Sequence, residues 1–333
     1  MDVPMLTLDE VEPLLKRFQS LSVLVVGDLM LDEYIIGDAE RLSPEAPVPV
    51  LLRRERKVGP GGAANVVCNL RSLGAQVFAA GVIGDDTAGD ELICLLESIG
   101  ADVSAIVTET FRPTTLKTRV IAHKQQLVRI DYEVRTPISD MTCDAIIERI
   151  MPLLPKVNAL IVSDYAKGVV RERLLEALKK APARNTILLC GGPKPRNIAS
   201  FIGFDLLSFN TAEAIESAML NGEPANDYKQ VGSLLASSLN VKWLVITRGE
   251  EGASLFDGNG WLCDIPSYRV TVYDVAGAGD TYLAAIALAL ACGADFVTAA
   301  KLANAAAAAA VRKVGVAPVT ADEIRQVVGG RLI

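Results

Sequence analysis

Short, continuously apolar runs alternate with segments of helical period along most of this chain, and that alternation narrows the fold more than any other feature. Residues 22–26, 77–82, 159–163, 186–189, 206–209 and 243–247 have the length and β-branched content of strands. Between them, residues 62–73, 88–99, 143–154, 172–179, 212–219 and 228–239 carry apolar side chains at helical spacing. A strand that is apolar on both sides has to be covered on both sides, so the pattern predicts a parallel sheet between two helical layers. Ligands of such sheets sit beyond the carboxyl ends of the strands.

Two regions break the rhythm. Residues 33–57 and 114–133 alternate polar and apolar side chains with no intervening helix, and they predict one small β-sheet projecting from the core as a lid. Residues 252–273 read as an antiparallel meander with turns at Asp257-Gly258 and Asn259-Gly260. The alanine run 305–310 fits a tightly packed helix. The 333 residues are read as one domain, 1–333, with half its residues hydrophobic and so a large core.

Composition removes several function classes. A net charge of −7 argues against nucleic acid or an anionic membrane as the main partner. Six scattered cysteines with no CxxC pair fit a reducing cytoplasm. The acidic N-terminal stretch has no signal-peptide core, and the longest uncharged apolar run, residues 282–294, is shorter than the ~20 residues that cross a bilayer, so a soluble protein is expected. The one histidine, His123, excludes His-rich metal sites and is read as a solvated strand residue beside Lys124.

The strongest local signal is Val275-Ala-Gly-Ala-Gly-Asp280-Thr281, a glycine-rich turn entering a small-residue helix over 282–292. Gly277 and Gly279 let successive N–H groups converge at a helix N-terminus, where orphan donors and the dipole favour an anion. A carboxylate beside such a hole would repel a phosphate unless it takes a proton from an attacking hydroxyl. The turn thus points to phosphoryl transfer to an alcohol, with Asp280 as base. An Asp placed only by the dipole of a buried helix is the alternative.

Other polar residues gather at the same predicted edge. Asp28, after the first strand, is placed to accept hydrogen bonds from a polyhydroxy ligand or to cap a turn, and Asp32 follows it. Gly59-Pro-Gly-Gly-Ala-Ala-Asn65 opens a helix, where glycines permit close ligand approach and Asn65 offers a donor and an acceptor. Asp164 and Lys167 end the third strand; Lys167, with Lys117 and Arg119 of the lid, could meet a substrate phosphate or remain solvated. Asn210 and Glu213 read either as a capping box or as water-mediated Mg²⁺ ligands. Thr247 and Gly249 would then face a nucleotide, while Asn304, alone among alanines, would touch a purine or solvent.

With a glycine motif near each end and Asn210-xx-Glu213 between, the sequence resembles the ribokinase-like (PfkB) sugar kinases from residue 22 to residue 319. Gly27-Asp-Leu-Met-Leu-Asp32, Arg41-Leu-Ser-Pro-Glu-Ala-Pro-Val-Pro-Val50, Gln125-Gln-Leu-Val-Arg-Ile-Asp131 and Ser163-Asp-Tyr-Ala-Lys-Gly168 look like the heptose 7-phosphate kinase branch. The resemblance implies an α/β, three-layer α/β/α sandwich with a mostly parallel central sheet and a small β-sheet lid. It implies ATP and Mg²⁺ as cofactors, leaves a monovalent cation open, and makes a sugar or sugar phosphate the partner molecule. Carried onto this chain, Asp280 would be the base and Gly277, Ala278 and Gly279 the anion hole. Asp28, Asp32, Gly61, Gly62 and Asn65 would hold the sugar, with Lys117, Arg119, Arg129, Asp164 and Lys167 around the substrate. Lys194, Asn210, Glu213, Thr247, Gly249, Gly252 and Asn304 would serve the nucleotide, Glu213 meeting the metal through water. Two positions depart from the branch: Gly192 stands where an Asp is usual and Ala276 where Thr or Ser is. The nucleotidyltransferase often fused in that branch, with its His-x-Gly-His motif, is expected to be absent.

Three functions follow for comparison: a kinase of a heptose 7-phosphate or another sugar, a catalytically weak sugar or nucleotide binder, and a dinucleotide oxidoreductase. The last is disfavoured because no G-x-G-x-x-G follows the first strand. The lid's apolar residues Val48, Val50 and Leu52 predict a homodimer through the lid.

Overall fold

The computed structural model describes residues 4–123, 125–220, 222 and 227–330. Ten helices are seen among these residues: α1 Leu8–Phe18, α2 Ala63–Ser72, α3 Thr87–Ser98, α4 Asp140–Ile150, α5 Glu172–Lys180, α6 Thr211–Leu220, α7 Tyr228–Ser238, α8 Ala278–Ala291, α9 Phe296–Ala310 and α10 Ala321–Val328. The strands are β1 Ser22–Gly27, β2 Leu29–Leu42, β3 Pro49–Gly62, β4 Gln76–Ile83, β5 Asp102–Thr108, β6 Thr115–Ala122, β7 Gln125–Tyr132, β8 Ala159–Ser163, β9 Leu188–Gly192, β10 Leu206–Asn210, β11 Trp243–Thr247, β12 Ala253–Asp257 and β13 Gly260–Ile265.

Nine strands form the main sheet in the order β13-β12-β11-β10-β9-β8-β1-β4-β5. All neighbours are parallel except β11–β12 and β12–β13. Side chains alternate across each strand. Val23, Val25, Ala79 and Ile161 join one core with α1, α2, α8 and α9, while Leu24, Val26, Ala80 and Val162 join a second core with α4, α5 and α7. The expected three-layer arrangement is therefore present.

The lid is a separate four-stranded sheet, β3-β2-β6-β7, with β2 and β6 parallel and the outer pairs antiparallel. Residue for residue, Asp32 lies beside Lys117, and Lys117 beside Asp131, so these three share one face. The lid grows directly out of the main sheet, because only Asp28 separates β1 from β2 and β3 runs into α2 at Gly62.

Four local expectations are corrected. The region 252–273 is a single hairpin ending at Ile265, closed by Gly258 and Asn259, not a meander. β9 starts at Leu188 because Pro182 sets a short 3₁₀ turn through Thr186. His123 sits exposed in the β6–β7 turn at φ 48 and not in a strand; Lys124 lies outside the described residues. The helix after the glycine turn starts earlier than 282, at Ala278, which puts Asp280 in its first turn.

Candidate active site

The carboxyl ends of β8, β9, β10 and β11 and the N-terminus of α8 meet at two adjoining cavities. One, of about 220 Å³, is lined by Tyr165, Gly192, Lys194, Asn210, Glu213, Gly277, Gly279 and Asp280 among others. The other, of about 490 Å³, lies between Thr247, Gly249, Tyr268, Val270, Tyr282, Asn304 and Val311. Thr247 and Gly279 border both. Chemistry at α8 thus has a mainly apolar chamber beside it, of a size that takes a small organic ligand.

The glycine turn is fastened before it enters the helix. Asp274 accepts hydrogen bonds from the N–H of Ala276 (3.0 Å) and of Gly315 (2.9 Å). Gly277 is left-handed at φ 78, and a Cβ there would lie 2.7 Å from Asn65 Nδ2. Only glycine lets Asn65 reach past this point. The Ala278 N–H closes a turn on the Val275 carbonyl at 3.3 Å. Gly279 and Asp280 then occupy the first turn, whose N–H groups have no partner within the helix, and open space surrounds Gly279.

Asp280 is buried, and both its oxygens are held. Asn65 Nδ2 donates to Oδ2 at 2.8 Å and the Tyr165 hydroxyl to Oδ1 at 2.6 Å. Burial pushes the Asp280 carboxyl up to about 6; the Tyr165 and Asn65 bonds and Lys194 pull down, and Asp32 adds to the rise. Such a group is ionised near neutral pH and still basic enough to accept a proton. Asn65 is itself oriented by Asn69, whose Nδ2 donates to Asn65 Oδ1 at 3.1 Å. Asn69 Oδ1 accepts from Thr281 Oγ1 and from the Val319 N–H, both at 3.1 Å.

Other expected ligands turn out to hold the scaffold. Asp28 lines neither cavity; its carboxylate accepts the N–H groups of Tyr165 (2.7 Å), Lys167 (3.0 Å) and Val169 (3.1 Å), and burial with Asp164 nearby pushes it up to about 6. Asp164 likewise accepts from the Ala166 and Lys194 N–H groups and from Asn197 Nδ2, tying the β8 and β9 ends together. Gly61 makes room for Asp32, whose Oδ2 would lie 2.6 Å from an added Cβ, and Gly62 would meet the Asp28 carbonyl at the same distance. Asp32, nearly buried, accepts from Arg119 at 2.6 Å.

The expected phosphate-binding cations are all paired. Lys167 contacts Glu133 at 2.6 Å, and Lys117 lies 3.6 Å from Asp131 and 3.7 Å from Glu133. Arg129 pairs with Asp131 on the lid and is half exposed. Burial would raise the Glu133 carboxyl, but Lys167, Arg135 and Lys117 outweigh it and hold it at about 2.

On the nucleotide side, Asn210 and Glu213 do form the reciprocal capping box of α6, at 2.8 and 3.1 Å. The other Glu213 oxygen pairs with Lys194, whose Nζ also lies 5.0 Å from the Tyr165 ring centroid. One carboxylate and one amide on the cavity wall suit Mg²⁺, which keeps most of its water shell; the described residues hold no cluster of three or more ligands. Thr247 donates to the Phe209 carbonyl at 3.2 Å. Gly249 opens on the larger cavity, whereas Gly252 lets the chain pass within contact of Ile265. Asn304 is buried, not solvated, and donates to the Ile265 and Pro266 carbonyls at 3.3 and 3.0 Å, which leaves its oxygen on the cavity wall. Sequence reasoning missed Tyr165, Asn69 and Asp274; Tyr165 lay inside a quoted motif, but only its neighbours were singled out.

A carboxylate held at a helix N-terminus, between a polar cleft and an apolar chamber, is an arrangement suited to accepting a proton from a hydroxyl. The pfkB family carbohydrate kinase model matches residues 20–323, and the chain belongs to that family. Among relatives, the bifunctional protein HldE of Geotalea uraniireducens is 41% identical over 320 residues, 96% of this chain and 65% of that one. The same-named protein of Helicobacter hepaticus is 40% identical over 92% of this chain and 64% of its own. The chain thus spans about two thirds of these relatives. In fold it is similar to phosphofructokinase-2 of Escherichia coli (TM-score 0.76, 18% identity, 93% of this chain and 99% of that one) and to the ribokinase of Thermotoga maritima (TM-score 0.72, 22% identity, the same shares).

Proposed function

We propose that this carbohydrate kinase uses ATP and Mg²⁺ to phosphorylate a hydroxyl of a sugar phosphate, with heptose 7-phosphate as the acceptor. The observation that carries the reading is Asp280, in the first turn of α8, held on both oxygens where the two cavities adjoin. The acceptor hydroxyl would lie in the polar cleft and give its proton to Asp280 as its oxygen attacks the γ-phosphorus, the bond from that phosphorus to the β,γ-bridging oxygen breaking and ADP leaving. The first-turn N–H groups of Gly279 and Asp280 would face the charge that builds on the transferring group. Bound at Asn210 and Glu213 through water, Mg²⁺ would neutralise nucleotide phosphate charge. The larger cavity would take the base, with the Asn304 oxygen on its wall. The heptose reading rests on the branch motifs between Gly27 and Gly168.

ADP release measured over a panel of sugars and sugar phosphates tests the acceptor, and heptose 7-phosphate is expected to give the largest kcat/KM. Binding of these ligands without ADP release would favour instead a weakly active binder, the reading suggested by Gly192 and Ala276. Asp280→Asn is expected to lower kcat by at least ~10²–10⁴-fold, the usual contribution of a general base, while sugar binding survives. Because the base works ionised, wild-type kcat/KM should rise with pH through about 6 and then level off.

The reading includes one kinase domain spanning the chain and a homodimer formed through the lid. No helix among the described residues is long and apolar enough to cross a membrane, and a cytoplasmic location is part of the proposal.

A further inference from the structure

The Tyr165 hydroxyl approaches Asp280 Oδ1 from the loop after β8, opposite Asn65 on α2. Two donors on separate elements fix both the plane and the tilt of one carboxylate. The tyrosine is anchored independently: its own N–H donates to Asp28 Oδ2 at 2.7 Å, and its ring lies 5.0 Å from Lys194 Nζ, which pairs with Glu213. This places a phenol, and not merely an aromatic ring, at the junction of the base, the Asp28-held loop and the wall expected to meet phosphate.

We propose that Tyr165 is a positioning residue for the base, its O–H holding Asp280 so that a remaining lone pair points at the acceptor hydroxyl. This rests on the reading of Asp280 as the base. Burial and the charge of Asp280 push the Tyr165 hydroxyl well above its ordinary range, so it stays protonated and only donates. The proton released by the acceptor therefore passes to Asp280, and Tyr165 returns to the same bond each cycle. The groups facing Asp280 are Asn65 from α2, Asp32 from β2, Lys194 after β9 and Tyr165 itself. The Tyr165 donor is removed by loss of one oxygen, with the ring kept and no charge changed.

Tyr165→Phe keeps the ring and its contact with Lys194. Misplacing a reacting group by about 1 Å costs ~10²-fold, so kcat is expected to fall between about 10- and 100-fold, with KM for sugar and ATP within a few-fold of wild type. Loss of a donor that favours the ionised carboxylate should also move the acid limb of kcat/KM to higher pH. A packing role would leave that limb in place. Fluorinated tyrosines of increasing acidity, placed at position 165 alone, should move it progressively to lower pH, and they decide the matter if the Phe variant does not fold. An unmoved limb across that series, or wild-type kcat in a folded Phe variant, overturns the proposal. Asp280→Asn in parallel separates the two claims: full turnover there rejects the base, whereas its inactivity beside an unaffected Tyr165→Phe rejects the positioning role alone.

Discussion

Asp28 and Asp164 follow strand ends, Asp32 lies inside β2 and Asp280 opens a helix, and the sequence beside the first three does not tell them apart. Their partners do. Asp28 and Asp164 each accept hydrogen bonds mainly from backbone N–H groups and act as fasteners, Asp32 is tied to an arginine, and Asp280 is held by two side chains beside a cavity. A buried carboxylate that satisfies three N–H groups leaves all of them unpaired when removed, each at ~1–3 kcal/mol, partly offset by relief of its own burial. Asp28→Ala is therefore expected to destabilise the protein by about 2–5 kcal/mol in urea unfolding, and to lower kcat because the same loop carries Tyr165. Unchanged stability would show that the loop is held elsewhere. Asp280 could be found in the sequence because the turn that makes it meaningful is contiguous with it. Tyr165 and Asn65 meet it across 115 and 215 residues, a juxtaposition that no local pattern encodes. The ion pairs of Lys117 and Lys167 were illegible for the same reason, since Glu133 reaches them only once the lid has folded.

At the scale of elements, the strand-and-helix alternation was legible because each β-strand of the parallel core is apolar on both faces and each helix on one. The lid was legible because its period switches to two. Helix α1 was not expected although Val11, Leu14, Leu15 and Phe18 recur at helical spacing around Pro13, nor was the edge strand β5, with Asp102 and Ser104 on its polar side. Helix α8 follows another rule: every residue from Asp280 to Leu290 is buried, so its small side chains let α9, α2 and the sheet approach closely around it. Such a helix has no free volume for larger groups. Ala285→Leu is expected to cost about 1–3 kcal/mol and to lower the melting temperature, and strain on the first turn of α8 should reduce kcat as well. A Tm equal to wild type would mean that α8 can shift without cost, and would weaken the case that its packing sets the position of Asp280.

For the whole molecule, the four-stranded sheet poses a problem that the core does not solve. The face carrying Asp32, Lys117 and Asp131 contains the Lys117–Asp131 ion pair. Beside these, the outer part of the sheet shows water Leu42 (68% exposed), Val48 (51%), Leu52 (55%), Val128 (48%), Ile130 (56%) and Tyr132 (63%). β7 is also an edge strand, paired with β6 alone. Apolar side chains beside an unpaired edge invite a partner, and the cheapest closed solution for one chain is a second copy related by a two-fold axis. Val128 and Ile130 lie two apart on β7 and so point to the same side, where Ile130 is level with Thr118 and Val128 with Val120. Lysine at both positions would place charges on the surface that the dimer must bury, without touching either cavity. Light scattering should therefore find twice the chain mass for the wild type and the single-chain mass for Val128→Lys/Ile130→Lys, with circular dichroism unchanged. A sheet deprived of its partner would be held less firmly over the cleft. The double variant should then raise the sugar KM more than it lowers kcat, while nucleotide binding, which the main sheet supports, stays near wild type. A wild type that is monomeric at assay concentrations would sink the proposed dimer and require the lid to be stabilised by the substrate alone.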